Sequence, residues 1–249
     1  MGVDYDQIAP NYDRHRHGGG PYLDSLVEAA TGVGARRVLE LGAGTGANTA
    51  AFLDAYPCWL IGLEHSRGML EQAKGKQISA KWLHASGTNI PLLNASVDFI
   101  FACYVIHHIH DLAGLMRECA RVIENGAAAF VTCPHDFIER HPANQYFPSF
   151  ARIDKSRFQP LSEIADAMRA AGFQDIREKA VTAAPVHIDH AYVERVASQF
   201  ISTYALLPQD EFQSGLAKMR EDVEAKGRLD IDMVWECAIV WGTFTSRQA

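Results

Sequence analysis

The sequence predicts an α/β protein built on a mostly parallel sheet with helices on both faces. Three observations carry this. Short apolar runs alternate with amphipathic segments between residues 36 and 133. The runs are continuously apolar, not alternating, as strands buried on both faces require. Glycines crowd the end of the first run, in GAGTGA at 42–47, where such a sheet binds its ligands.

The elements follow in order. A polar segment, MGVDYDQIAPNYDRHRH, leads into the joint RHGGGPY (16–22) and a helix of about 22–31. RRVLEL (36–41) reads as the first strand and ANTAAFLDAY (47–56) as a helix. CWLIGLE (58–64) is the second strand. SRGMLEQAK (66–74) is a helix with Ser66 as N-cap. AKWLHA (80–85) and SVDFIFACY (96–104) are further strands. LAGLMRECARVIE (112–124) is an amphipathic helix for which Asn125-Gly126 supplies a stop, and AAAFVTC (127–133) is a fifth strand closed by Pro134. The stretch 135–160 is aromatic, basic and punctuated by proline. SEIADAMRAAGF (162–173) is a helix ended at Gly172, followed by a strand at about 174–182. Two amphipathic helices come next. One places Tyr192, Val196, Phe200 and Tyr204 on one face; the other does so with Phe212, Leu216, Met219 and Val223. MVWECAIVWGTF (233–244) is the final strand.

Bulk properties narrow the function. A net charge of −7 with no long Lys/Arg block argues against nucleic acid as a partner. There is no apolar run of about 18 residues, so no membrane span is expected. Five cysteines, Cys58, Cys103, Cys119, Cys133 and Cys237, include no C-x-x-C pair. That disfavours a disulfide framework or structural zinc and fits a reducing, cytoplasmic setting. No metal site is expected: His15, His17 and His107 have no recognisable ligand spacing.

Gly42, Gly44 and Gly46 remove side chains from the loop after the first strand, so a ligand can touch the backbone there. The N–H groups at the following helix start attract polar or anionic atoms. Gly42 to Ala47 also satisfies G-x-G-x-x-G/A, a pattern shared with dinucleotide sites. Glu64 ends the second strand about 20 residues on, placed to accept from both hydroxyls of a ribose. An adenosine-type ligand follows, with NAD(P) and S-adenosylmethionine both open. Three features favour the latter. About 35 residues precede the first strand; Glu40 sets an acid ahead of the glycines, where it can face an ammonium group; and no Tyr is followed four positions later by Lys.

These motifs, VLELGAGTGANT, IGLEHSRGMLEQA, SGTNIPLLNASVDFIFACYVIHHI and the N-terminal YDQIAPNYDRHR, resemble a class I S-adenosylmethionine-dependent methyltransferase. The type is the small-molecule one related to the ubiquinone/menaquinone methyltransferases. The resemblance covers residues 4 to about 135 closely and the rest in architecture. It implies a Rossmann-like, seven-stranded, mostly parallel sheet with an antiparallel last strand and an inserted substrate lid. The whole chain, 1–249, is then one domain: a cofactor core of about 30–135 and lid elements of about 1–25, 135–160 and 185–228. The resemblance implies S-adenosyl-L-methionine as cofactor and S-adenosyl-L-homocysteine as product. Its contacts would come from Tyr12, Arg16, Glu40, Gly42, Ala43, Gly44, Gly46, Glu64, His65, Met69, Ser86, Gly87, Thr88, Cys103 and His108. One departure stands out: relatives carry Asp where this chain has Ser86, so the hydrogen bond to adenine is neutral rather than charge-assisted.

Methyl transfer needs an acceptor held in line with the methyl group, and a base where that acceptor is protic. His107 and His108 follow the fourth strand and His135 the fifth. All three are candidate bases, since imidazole titrates near neutrality. Cys103 and Cys133 end neighbouring strands and read as small apolar residues or as thiols for a soft acceptor. Phe137, Tyr146, Phe147, Phe150 and Phe158 either line a lid over a flat or apolar small molecule or form a satellite core. Arg140, Arg152 and Arg157 either hold a carboxylate or lie solvated. The expected reaction is transfer of the methyl group to O, N or C of a small-molecule acceptor. An NAD(P)-dependent oxidoreductase and a non-methylating use of the same cofactor are the alternatives.

Overall fold

The computed structural model describes residues 3–14 and 18–246. Asp4 caps a short helix α1 (Tyr5–Ile8), its carboxylate accepting from the N–H groups of Asp6 and Gln7. A 3₁₀ stretch, Ala9–Arg14, and helix α2 (Leu23–Gly32) lead to the sheet. The core then alternates: β1 (Arg37–Leu41), α3 (Ala47–Ala55), β2 (Trp59–Glu64), α4 (Arg67–Gly75), β3 (Lys81–His84) and β4 (Val97–Cys103). A 3₁₀ turn, Ile106–His108, precedes α5 (Leu112–Val122) and β5 (Ile123–Thr132). The second half holds α6 (His135–Arg140), a 3₁₀ turn Pro142–Gln145, α7 (Phe150–Lys155), α8 (Leu161–Ala170), β6 (Gln174–Thr182) and β7 (Val186–Asp189). It ends with α9 (His190–Ala197), α10 (Ser202–Leu206), α11 (Gln209–Lys226), β8 (Arg228–Met233) and β9 (Glu236–Thr245).

The main sheet has seven strands in the order β3-β2-β1-β4-β5-β9-β6. The first five are mutually parallel, and β9 runs antiparallel to both neighbours. The expected architecture is therefore present. Alternate side chains of each strand go to opposite faces. Leu39, Leu41, Ile61, Leu63, Ile100 and Phe130 pack with Leu115, Met116 and Cys119 of α5 and Ile164 and Met168 of α8. Val38, Leu60, Phe99, Phe101 and Val131 pack on the other side with Leu26 of α2 and Phe52 of α3. Strand order reverses between β1 and β4, which places a crevice above their carboxyl ends.

A third cluster lies outside the sheet. Phe137, Tyr146, Phe147, Phe150 and Phe158 are all buried in it, packed with Tyr192, Val196, Tyr204, Phe212 and Met219. These aromatics form a satellite core, and the stretch 135–160 is two short helices and a 3₁₀ turn.

Three boundaries differ from expectation. Asn125-Gly126 does not stop a helix: α5 ends at Val122, and β5 begins at Ile123 and runs through the pair. Gly126 is needed there because β4 comes so close that a Cβ would sit 1.7 Å from the Asp98 carbonyl oxygen. The segment carrying Tyr192 to Tyr204 is two helices, broken at Gln199, whose φ is 54°. The final strand starts at Glu236 instead of 233, because Arg228–Met233 pairs with Val186–Asp189 as a separate two-stranded ribbon. The ribbon is polar and half exposed, so its hydrophobic signal is weak.

Candidate active site

The crevice is a cleft of about 720 Å³ above the ends of β1, β2 and β4. All three loop glycines adopt left-handed conformations, with φ of 64°, 56° and 83° at Gly42, Gly44 and Gly46. A Cβ on Gly42 would meet Val105 at 2.3 Å, so this glycine serves packing. A Cβ on Gly44 would meet nothing within 4 Å. The open space beside it belongs to the cleft.

Glu64 ties the floor together. One carboxylate oxygen accepts from the Gly44 N–H at 2.8 Å and the other from the Ser66 N–H at 2.7 Å. A carboxylate offers about four lone-pair sites, so both oxygens can still accept a hydroxyl. Ser66 caps α4 through the Met69 N–H, which sets the Met69 side chain against the cleft wall. Ser86 Oγ and Thr88 Oγ1 are 2.9 Å apart and Ser86 also receives the Thr88 N–H. With Gly87 they line the far end.

The N-terminal segment closes the cleft as a strap. Asp6 accepts from Ser66 Oγ at 2.6 Å and from the Gly68 N–H at 2.8 Å. These bonds hold its carboxyl below the usual range, the Ser66 bond contributing most. Asp13 accepts from Thr45 Oγ1 at 2.5 Å and pairs with Lys76 at 2.7 Å. Tyr5 and Tyr12 thereby line the cleft, and Tyr5 Oη lies 2.9 Å from His108 Nε2.

The sequence-derived candidates divide. Tyr12, Gly42, Gly44, Glu64, His65, Met69, Ser86, Gly87, Thr88, Cys103 and His108 all line the cleft. Burial raises the Cys103 thiol well above its ordinary range. Ala43 and Gly46 shape the loop from behind: Ala43 N–H donates to the Leu63 carbonyl and Gly46 N–H to the Ala43 carbonyl. Arg16 lies outside the described residues, as do His15 and His17. Among the described residues no group of His, Cys, Asp and Glu is arranged to hold a metal ion.

Glu40 departs from the position the sequence suggested. Its side chain takes the same sheet face as Val38 and does not line the cleft. It is 1% exposed and accepts a hydrogen bond from Thr49 Oγ1 of α3. Burial pushes its carboxyl up to about 8. His107 is not a cleft residue either. Its ring stacks on Phe158 with centroids 4.0 Å apart, Nδ1 is buried without a partner, and burial holds its pKa well below the ordinary value. His135 donates from Nε2 to the Phe158 carbonyl at 2.7 Å, away from the cleft. Cys133 is buried in the satellite core. Arg140 pairs with Glu236, Arg152 bonds Ser149 Oγ, and Arg157 lies against Asp154 and Ser202.

Sequence reasoning missed three features. Tyr104 follows β4 with φ 55°, lines the cleft, and accepts from Trp235 Nε1 at 2.7 Å. A non-glycine residue in this region costs about 1–3 kcal/mol and clusters at functional sites. Nothing in the sequence marks it. The strap aspartates, Asp6 and Asp13, were the other two; each directly follows a tyrosine, which is a signal only in hindsight.

Sheet order, glycine loop, second-strand acid and N-terminal strap together define the class I methyltransferase fold. The comparisons agree. The methyltransferase-domain family matches residues 39–131. The malonyl-[acyl-carrier protein] O-methyltransferase of Legionella pneumophila is 33% identical over 146 residues, 56% of this chain and 51% of that protein. A demethylmenaquinone methyltransferase of Roseiflexus is 26% identical over 223 residues, 74% of this chain and 90% of that protein. Relatives at 30% identity or more are matched over about half of their length or less. In fold, a protein of Anabaena variabilis assigned provisionally as a methyltransferase of an antibiotic biosynthesis pathway aligns with a TM-score of 0.68 at 21% identity. That alignment covers 89% of this chain and 97% of that one. Residues 39–131 thus match a methyltransferase domain, and the chain as a whole resembles the class I S-adenosylmethionine-dependent methyltransferases in fold.

Proposed function

We propose that this chain transfers a methyl group from S-adenosyl-L-methionine to a small-molecule acceptor, releasing S-adenosyl-L-homocysteine. The observation that carries the reading is Glu64. It is fixed by the Gly44 N–H within the glycine loop and the Ser66 N–H at the start of α4, with lone pairs left for a ribose and open space beside Gly44. Ser86, Gly87, Thr88 and Met69 would hold the adenine end, and Tyr12 and the loop backbone the methionine end. Bound, the cofactor supplies a methyl group already activated on a sulfonium. The protein's contribution is then to orient the acceptor and exclude water beneath the strap. His108, at the cleft wall, is the candidate base for a protic acceptor; His107 and His135 act instead as packing and loop-anchoring residues.

The acceptor is a small molecule, flat or apolar, methylated on O, N or C. The relative named for demethylmenaquinone supports a flat, apolar acceptor, and the one named as a malonyl-[acyl-carrier protein] O-methyltransferase supports an oxygen atom as the site of transfer. In this reading residues 1–249 form one catalytic unit in the cytoplasm. Five free cysteines are consistent with that setting, and no described helix is long and apolar enough to cross a membrane.

The test is S-adenosylhomocysteine production, followed by mass spectrometry. The chain is incubated with S-adenosylmethionine and a panel of phenols, hydroquinones and carboxylic acids. Acceptor-dependent product that disappears in Glu64→Ala supports the proposal. Tight cofactor binding with no product from any acceptor overturns methyl transfer and leaves a non-methylating use of the site.

A further inference from the structure

Tyr104, the left-handed residue after β4, lines the cleft without belonging to the floor that Glu64 ties together. Its N–H donates to the Val131 carbonyl at 2.9 Å, which fixes the backbone where the sheet ends. Its ring is clamped from two directions. Tyr22, just before α2, meets it edge-on with centroids 5.9 Å apart, and Trp235 does so at 6.2 Å. Trp235 Nε1 also donates to the Tyr104 hydroxyl at 2.7 Å. Trp235 in turn stands edge-on to Phe137 and His141, so the satellite core sets its place. The Tyr104 hydroxyl is buried, and burial, followed by the Cys237 thiol beside it, keeps its pKa well above the ordinary value. What Tyr104 offers the cleft is therefore ring carbon, not an acid or a base.

Its place along the sheet says what that ring meets. Glu64 ends β2 and Ser86 follows β3, both on one side of the point where strand order reverses. Tyr104 follows β4, on the other side. With the ribose at Glu64 and the adenine at Ser86, the nucleoside fills the first side and leaves the second to the acceptor. The backbone conformation of Tyr104 suits glycine or asparagine better than tyrosine. Strain of this kind persists where the surroundings over-determine it, and it clusters at ligand sites.

We propose that Tyr104 determines acceptor specificity: a flat aromatic acceptor packs on its ring, which Trp235 holds in place. This rests on the methyl-transfer reading and narrows its acceptor to molecules with an aromatic ring. Aromatic pairs gain affinity beyond the area they bury, because ring faces and edges carry opposite partial charge. A saturated molecule of the same skeleton fills the space without that gain. The satellite core then has a part in the reaction: it seats Trp235, and through it the wall against which the acceptor lies.

The test is calorimetry on the full chain saturated with S-adenosylhomocysteine, with 2-naphthol and decahydro-2-naphthol as probes. They share a carbon skeleton, and only the first is flat and aromatic. The unaltered chain should bind 2-naphthol more tightly, roughly two- to tenfold. Tyr104→Asn keeps a residue that tolerates the left-handed backbone and removes the ring; it should erase the preference. Trp235→Phe keeps a ring against Phe137 and removes the N–H, and should weaken the preference in the same direction. Both variants should bind S-adenosylhomocysteine within about twofold of the unaltered chain, since Tyr104 stands across the reversal from the nucleoside. Equal affinity for the two alcohols, binding of neither, or a preference that survives Tyr104→Asn overturns the proposal. So does a preference lost only together with S-adenosylhomocysteine affinity, which would make Tyr104 a packing residue of the cleft. Where Tyr104→Asn does not fold, Trp235→Phe decides, and an unchanged preference there counts against the proposal. No binding heat with S-adenosylhomocysteine in the unaltered chain would defeat the cofactor reading, while the same two alcohols titrated into the free chain still decide the role of Tyr104.

Discussion

Glu40 offers a sharp test of the structural reasoning because its burial has an opposite sign of consequence from that of most carboxylates. The side chain is 1% exposed and has Thr49 as its hydrogen-bond donor. Desolvation raises its pKa from 4.5 to about 8, with the Glu64 charge adding in the same direction. The folded chain therefore keeps a proton that the unfolded chain releases above pH 4.5. A raised carboxyl contributes its full share below the unfolded pKa and loses it as pH climbs toward the folded one. Between pH 5 and pH 8 the loss comes to about 3–4 kcal/mol, at about 1.4 kcal/mol per tenfold change in proton activity. Glu40→Gln removes the titration and can still accept from Thr49. The variant's extra amide proton lowers the absolute gain by about 1–3 kcal/mol if it finds no partner, but it does not titrate. The assay is thermal or urea unfolding of both chains across pH 5 to 8. The difference between them should grow in favour of the variant by about 3–4 kcal/mol, or roughly 10 °C for a chain of this size. Parallel pH profiles would refute the buried, protonated Glu40 and return it to the role of an ionised group facing a ligand.

Four further outcomes follow from the same structure. Gly42→Ala meets both a positive φ and Val105 at 2.3 Å, and should lower unfolding stability by several kcal/mol. Gly44→Ala meets open space, so it should cost only about 1 kcal/mol of strain yet abolish S-adenosylhomocysteine binding by calorimetry. Ser86→Asp restores a charged acceptor; its gain of about 1 kcal/mol over a neutral bond should tighten S-adenosylhomocysteine roughly five- to tenfold. His141 is buried, with Nδ1 accepting from the Ala143 N–H and its pKa pushed down to about 4. The unfolded chain binds that proton first as pH falls from 6.5, so about 3 kcal/mol should be lost between pH 6.5 and pH 4. His141→Phe keeps the stacking on Phe150 and should flatten that part of the urea-unfolding profile.

The core was legible because two-sided burial writes itself as uninterrupted apolar runs, and because Gly42 to Gly46 and Glu64 have few structural uses other than a ligand site. Side-chain direction was less so. Glu40 was placed by its nearness in sequence to the glycines. The pleat instead puts Val38 and Glu40 on one face and Leu39 and Leu41 on the other, turning the acid toward α3. Read with a period of two, the same strand contains that answer. The histidines show a different limit: His107 and His108 are adjacent, yet one stacks on Phe158 and the other meets Tyr5. The partner in each case comes from more than 40 residues away. Tyr104 is invisible for a third reason, since its left-handed backbone is imposed by the site and not by its own preference. The β7–β8 ribbon was missed because a short, polar, exposed pair lacks the hydrophobic pattern that marks a strand.

The most direct measurement is unfolding temperature with and without S-adenosylhomocysteine, with NADH as the comparison. A ligand at a hundred times its dissociation constant stabilises by about 2.7 kcal/mol, several degrees for a chain of this size. The account predicts a rise with S-adenosylhomocysteine, none with NADH, and loss of the rise in Glu64→Ala. A rise with NADH alone would contradict it.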